Sequence, residues 1–446
     1  MKTKILSILL TVAMLVAMVP MIAVSAVEPT GTVYEVTDAA SVTALIADTT
    51  KNVAGNTMKL TQDLTYEGWS DADKASVVSL WAGCKMHVDG NGHKVILKDG
   101  EYHNVILFNF AADVTELTVK NLAVVMEDED AVAKSTQNEA LALFGQVSAN
   151  THSAYSSDDI HLTVESCYFD VNLDMQSSSS NAGAAILFSR VIGAAKVEIT
   201  AKNTYFKGTF NTKNGAGASG AIYGRRWSEG SGVVPVNVEN CIFDVTSATN
   251  KKGAVVGDYR SATATTITAT GTNLIYGGVD KVSTVADGGT YEGFTIVAKG
   301  DNTVTTVKGY QTTAKNEETN KFDLRLVGLV ELGDTALTDY SKVGFVVVAN
   351  YANINTKCTA AASDKVYSSI TENTATSTNA LTATELGGDY IYALAIKNIP
   401  ANAGDVTFTV TPYYVAADGT TVVYGANTVF TVDVSELPTD TLDAAA

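Results

Sequence analysis

The sequence predicts an all-β chain: a right-handed parallel β-helix with an N-terminal helical cap, followed by a smaller antiparallel β-sandwich. Three observations carry this expectation. A short apolar pattern recurs between residues 58 and 274 at intervals of about 30 to 45 residues. A second pattern recurs in step with it from residue 142 to residue 257. Beyond residue 320 both stop, and apolar residues alternate with a period of two.

Residues 1–26 read as a signal peptide, because Lys2 and Lys4 precede the apolar run Ile5–Val24 and small residues follow at Val24-Ser25-Ala26. Pro20 interrupts the run, and no second run of membrane length follows it. The expectation is a secreted or cell-surface protein, not membrane-embedded in its mature form. Leu437-Pro438-Thr439-Asp440-Thr441 begins like a wall-sorting signal but has no Gly in the fifth place and no hydrophobic tail after it.

The first element expected is a short helix. Thr37 or Asp38 can cap it, and Val42, Leu45 and Ile46 share one face at helical spacing. Its place before the repeats suits a cap over the first open strand edge.

The repeats then follow in order. Leu117-Thr-Val-Lys-Asn121-Leu-Ala-Val124 matches Leu162-Thr-Val-Glu-Ser166-Cys-Tyr-Phe169 and Ile199-Thr-Ala-Lys-Asn203-Thr-Tyr-Phe206. Val236-Asn-Val-Glu-Asn240-Cys-Ile-Phe243 and Ile267-Thr-Ala-Thr-Gly271-Thr-Asn-Leu274 continue the series, and Met58-Lys-Leu60 and Met86-His-Val88 begin it. Each copy is two short strands around a tight corner, with Asn121, Ser166, Asn203 and Asn240 aligned at the corner and Phe169, Phe206 and Phe243 stacked behind it. The second column is Ala142-Leu-Phe144-Gly145, Ile186-Leu-Phe188-Ser189, Ala221-Ile-Tyr223-Gly224 and Ala254-Val-Val256-Gly257. Abundant Thr, Val and Asn and the lack of paired helical patterns exclude an α-solenoid.

With Val88-Asp-Gly-Asn-Gly-His-Lys-Val-Ile96 and the Asn-bearing repeats, the chain resembles the pectate-lyase-like right-handed β-helix superfamily over residues 33–300. That superfamily holds polysaccharide lyases and glycosidases, and also adhesins and proteins without known catalysis. The resemblance implies calcium held by a carboxylate cluster if the chain is a lyase, and paired carboxylates if it is a hydrolase. No cofactor is expected otherwise.

Residues 301–320 are polar and read as a linker between the β-helix of residues 27–300 and the sandwich of residues 321–436, with a tail over 437–446. Strands are expected at Phe322–Leu326, Val343–Val348, Tyr390–Ile396, Val406–Val410 and Val429–Val434, and Asp418-Gly419 reads as a hairpin turn. This immunoglobulin-like unit is similar to accessory domains of exported proteins of Gram-positive anaerobes, through Phe322-Asp-Leu-Arg325, Val343-Gly-Phe345, Ile399-Pro400 and Thr411-Pro412-Tyr413.

Composition constrains partners. A net charge of −18 argues against nucleic acid, whose phosphates need cationic stripes. Four cysteines, Cys84, Cys167, Cys241 and Cys358, are too sparse for a disulfide framework and read as core residues. His87, His93 and His103 lack ligand spacing for a metal. Asp170 and Asp244 lie two repeats apart with Lys207 between them, which reads as an ion-pair ladder. The remaining concentration of chemistry is Gln146, Arg190, Arg225 and Asp258, one per repeat, with Arg226, Trp227, Tyr259 and Arg260 beside them. Arginine with aromatic residues suits sugar stacking and carboxylate binding. The expected function is non-catalytic binding of extracellular polysaccharide or cell-surface glycan, or an adhesin-like role. Two competing expectations are a polysaccharide lyase or glycoside hydrolase, and a spacer that displays the second unit.

Overall fold

The computed structural model describes residues 31–67, 80–98, 100–101, 107–108, 114–127, 133–135, 140–144, 146–148, 159–180, 182–192, 196–227, 234–259, 266–271, 273–276, 278–279, 281–283, 292–296, 302–349, 390–401, 404–419 and 421–439. The expected signal peptide, Cys358 and residues 440–446 lie outside them. The described chain is mainly β, with parallel sheets in its first part and antiparallel sheets in its second.

The repeats are visible as parallel pairing. An eight-stranded sheet opens with Val33–Val36, Thr57–Leu60 and His87–Asp89 and continues through Glu116–Lys120, Asp159–Glu165, Lys196–Lys202, Val236–Glu239 and Ile267–Thr270. A ten-stranded sheet includes Ala123–Met126, Tyr168–Met175, Tyr205–Thr212, Ile242–Ser247, Asn273–Tyr276 and Phe294–Ile296. A third sheet joins Ala140–Leu141, Gly183–Ala185, Ala218–Gly220 and Lys251–Lys252; a fourth joins Gln146–Ser148, Phe188–Ile192, Tyr223–Trp227 and Val256–Tyr259. Sequence copies align residue for residue: Leu162 pairs with Leu117 and Ile199, and Phe206 with Phe169 and Phe243.

The corner between the first two sheets explains the asparagine column. Asn121, Ser166, Asn203 and Asn240 have φ of 52°, 53°, 46° and 53°, and Gly271 has 68°. This left-handed region is sterically costly for most residues and is entered most readily by Gly and Asn. A side-chain ladder is present as well, since Asn240 Nδ2 donates to Asn203 Oδ1 at 3.3 Å. The shared requirement is nevertheless the backbone conformation, because Ser166 and Gly271 meet it without an amide. Behind the corner, Phe206 stacks on Phe169 and Phe243 at centroid distances of 5.5 and 5.2 Å. Cys84, Cys167 and Cys241 are buried free thiols, pushed by burial up to about 11, 12 and 12.

The expected helix forms at Ala39–Ala47. Asp38 caps it: its Oδ1 accepts from Ser41 N at 2.7 Å, and Ser41 Oγ accepts from Asp38 N at 3.0 Å. Val42 and Leu45 are buried with the repeat core.

In the second part, Thr305–Thr312, Lys321–Val330 and Tyr390–Pro400 form one antiparallel sheet. Tyr340–Ala349, Val406–Ala416, Val422–Tyr424 and Thr428–Val432 form another. They share a core in which Phe345 stacks on Tyr392 and Tyr310 on Phe430, both at 4.5 Å. The hairpin at Asp418-Gly419 forms as expected, with Gly419 at φ 72° and the Asp418 carboxylate accepting from Thr421 N. Two expectations are corrected. Thr305–Thr312 was expected in the linker of residues 301–320 but is a strand, because Val307 and Tyr310 turn into the core while polar neighbours face out. Within the expected tail, the Thr439 carbonyl accepts from Thr312 N at 2.7 Å and Thr439 N donates to Thr312 Oγ1 at 2.9 Å, so the segment continues the unit.

The two parts also meet. Ala123, Tyr168, Tyr205, Ile242, Leu274 and Tyr276, on the outer side of the ten-stranded sheet, form one buried cluster with Val346, Val348, Tyr413, Val415 and Tyr424. The contact therefore runs along the flank across several repeats. At one end Tyr276 meets Tyr424 at 6.5 Å, and at the other the buried Lys94 Nζ donates to the carbonyl of Asp405 at 2.7 Å.

Candidate functional site

Strand pairing in the fourth sheet places Gln146 opposite Arg190, Arg190 opposite Arg225, and Arg225 opposite Asp258. One residue further on, Val191, Arg226 and Tyr259 share a row, and Trp227 pairs with Ile192. Gln146, Arg226, Trp227, Asp258 and Tyr259 are placed here by their backbone pairing, and Arg260 lies outside the described residues.

The position before each column residue is small for a steric reason. The third and fourth sheets meet so closely that a Cβ on Gly224 would sit 2.5 Å from the Ala184 carbonyl oxygen and 2.6 Å from its nitrogen. A Cβ on Gly257 would overlap the Gly224 carbonyl. Ser189, at the same place, is fully buried.

This packing separates the two arginines. Arg225 is only 2% exposed, and its Nη1 donates to the carbonyl of Ser180. A Cβ on Gly183 would lie 3.1 Å from Arg225 Cβ and 3.0 Å from Arg190 Cγ, so the chain at Gly183 covers both stems. Arg225 thus braces the segment after Tyr168–Met175 against the fourth sheet. It does not present its side chain as a surface ligand group, as the sequence reading expected. Arg190 is half-buried. The sequence carries no sign that residues 176–180 fold back onto the column.

A second polar array lies on the ten-stranded sheet. Asp170, Lys207 and Asp244 are in register, and Lys207 Nζ is 2.8 Å from Asp170 Oδ2, which forms the expected ladder. Sequence reading missed its aromatic support. Tyr205 donates its hydroxyl hydrogen bond to Asp244 at 3.0 Å and Tyr168 to Asp170 at 3.4 Å. Burial, with these carboxylates adding to it, pushes both phenols well above their ordinary 10.0. The signal was present as Tyr168 and Tyr205, two places before Asp170 and Lys207 on the same strand face.

The histidines do different work. His87 Nδ1 accepts from Thr118 N at 2.9 Å and burial lowers its basicity, while His93 Nδ1 lies 3.2 Å from Asp63 Oδ1. His103 lies outside the described residues. Among the described residues no three His, Cys, Asp or Glu side chains are grouped to hold a metal, and no helix is long and apolar enough to cross a membrane.

No protein-family model, curated protein or solved structure matches the chain.

Proposed function

We propose that the chain is an exported, right-handed parallel β-helix protein of pectate-lyase-like type that binds extracellular polysaccharide at the cell surface without cleaving it. In this reading the helix at Ala39–Ala47 caps the first repeat, and the immunoglobulin-like sandwich is a fixed accessory unit. The observation that carries the reading is the register column Gln146, Arg190, Arg225 and Asp258. It sets polar residues on successive strands at the roughly 4.8 Å spacing of neighbouring strands, close to the length of one sugar unit, with Arg225 buried among them. Arg190 supplies the guanidinium for a sugar carboxylate or hydroxyl pair, Arg225 holds the floor beneath it, and Arg226, Trp227 and Tyr259 lie on the same strands one or two places on.

Binding is favoured over lyase or hydrolase chemistry because the column contains a single carboxylate, Asp258, two strands from Arg190. That separation is about 10 Å, beyond the reach of one proton transfer. The test incubates the mature protein with pectic, host and microbial glycans, recording binding, unsaturated products and new reducing ends. Binding without products, weakened by Arg190→Ala, is the expected result. Products lost on the same substitution would make the column an active site, and the absence of both signals would leave the spacer reading.

A further inference from the structure

We infer a second glycan-binding face, for neutral hydroxyl-rich chains, on the outer side of the strands Tyr168–Met175, Tyr205–Thr212 and Ile242–Ser247; it rests on the proposal that the protein binds polysaccharide. These strands alternate strictly. Phe169, Val171, Leu173, Phe206, Phe210, Phe243 and Val245 fill the core. The opposite face therefore carries Asp170, Asn172 and Asp174, then Lys207, Thr209 and Asn211, then Asp244 and Thr246.

Register turns these residues into rows running across the strands. Asp170, Lys207 and Asp244 make one row; Asn172, Thr209 and Thr246 make the next; Asp174 and Asn211 begin a third. The rows are ordered. Lys207 holds Asp170, Thr246 Oγ1 donates to Thr209 Oγ1 at 3.1 Å, and the phenols of Tyr168 and Tyr205 reach Asp170 and Asp244 from the buried contact with the second unit. The first row runs directly into that contact, since Asp244 pairs with Tyr276, which meets Tyr424. The second unit thus forms a wall along one side of an open polar floor.

Chemistry narrows the occupant. Three carboxylates against one ammonium repel a polyanion, which excludes uronates, sulfated glycans and nucleic acid. Alternating amide, hydroxyl, carboxylate and ammonium groups donate and accept with little apolar surface, which matches sugar hydroxyls and offers nothing to an apolar peptide. A neutral chain laid across the strands meets one group from each row per sugar. The face is separate from the fourth-sheet column, which lies on other strands and contains Arg190.

The test is titration calorimetry of the mature protein with cellohexaose and xylohexaose as neutral probes and polygalacturonate as the anionic one. The variants are Arg190→Ala and Thr209→Ala/Thr246→Ala, the latter placed on the surface so that folding is kept, as circular dichroism would verify. The expected result is binding of a neutral hexaose weakened about tenfold by the threonine pair, from the loss of hydrogen bonds, and unchanged by Arg190→Ala. Neutral binding that depends on Arg190, or that ignores the threonines, would overturn the second face. So would binding of polygalacturonate alone, which leaves the first proposal standing. Binding of no glycan at all would overturn both.

Discussion

Arg225 and Arg190 are sequence neighbours in the repeat sense and look alike in the chain, yet one is buried under Gly183 and hydrogen-bonded to Ser180 while the other is half-buried. Arg225→Ala should cost about 1–3 kcal/mol, because a buried side chain and its hydrogen bond to Ser180 are lost, and Arg190→Ala about 0.5 kcal/mol. Urea midpoints measure both, and equal losses would show that the two side chains do the same work. The corner residues give a second contrast. Asn203 sits at φ 46°, so Asn203→Val should cost about 1–3 kcal/mol, whereas Asn203→Gly should be far milder. The asparagine column was legible in the sequence as a repeated letter. Its cause was not, because side-chain ladders and left-handed corners favour the same residue. What identifies the corner as the requirement is Gly271, which keeps the turn with no side chain at all. The site was only half legible for a similar reason: pairing order follows from repeat spacing, but burial of Arg225 depends on where residues 176–180 and Gly183 return.

At the scale of elements, the strands that pair through the repeats were legible because each buried position recurs in register, as Leu162 with Leu117 and Ile199 does. Thr305–Thr312 was not, because Val307 and Tyr310 are its only large apolar residues and it has no second copy to compare with. Two substitutions probe how the elements hold together. Phe206 lies between Phe169 and Phe243, so Phe206→Ala removes both stacking partners' shared neighbour and should cost about 3–5 kcal/mol in denaturant unfolding. Gly224→Val should fail to yield folded protein, because its side chain would enter the Ala184 backbone where the third and fourth sheets meet. A stable Gly224→Val protein would mean that the two sheets can part.

Across the whole molecule, the flank contact couples the two parts to alkaline pH. Tyr168 and Tyr205 hold their phenol protons well above 10.0, and burial pushes Tyr424 up to about 12. The unfolded chain releases these protons near 10.0, so above that pH the folded state binds more protons and stability falls as pH rises. Their contribution is fully present below 10.0 and is lost as pH climbs through the raised values. Buried Lys94 acts in the opposite direction, since burial lowers its basicity and its cost is relieved toward 10.5. With several phenols against one ammonium, urea midpoints should drop above pH 10.0, and Tyr205→Phe should flatten the drop. Midpoints that rise there would show that the flank tyrosines are open to water. The two-residue corner between the first two sheets has a different kind of consequence. From Lys120 to Ala123, Glu165 to Tyr168, Lys202 to Tyr205 and Glu239 to Ile242 it keeps two residues, while the connection from the ten-stranded sheet to the third takes 213–217 in one repeat and 248–250 in the next. The repeats therefore differ in length mainly beyond this corner, and a loop added there would leave the stacked strands in register.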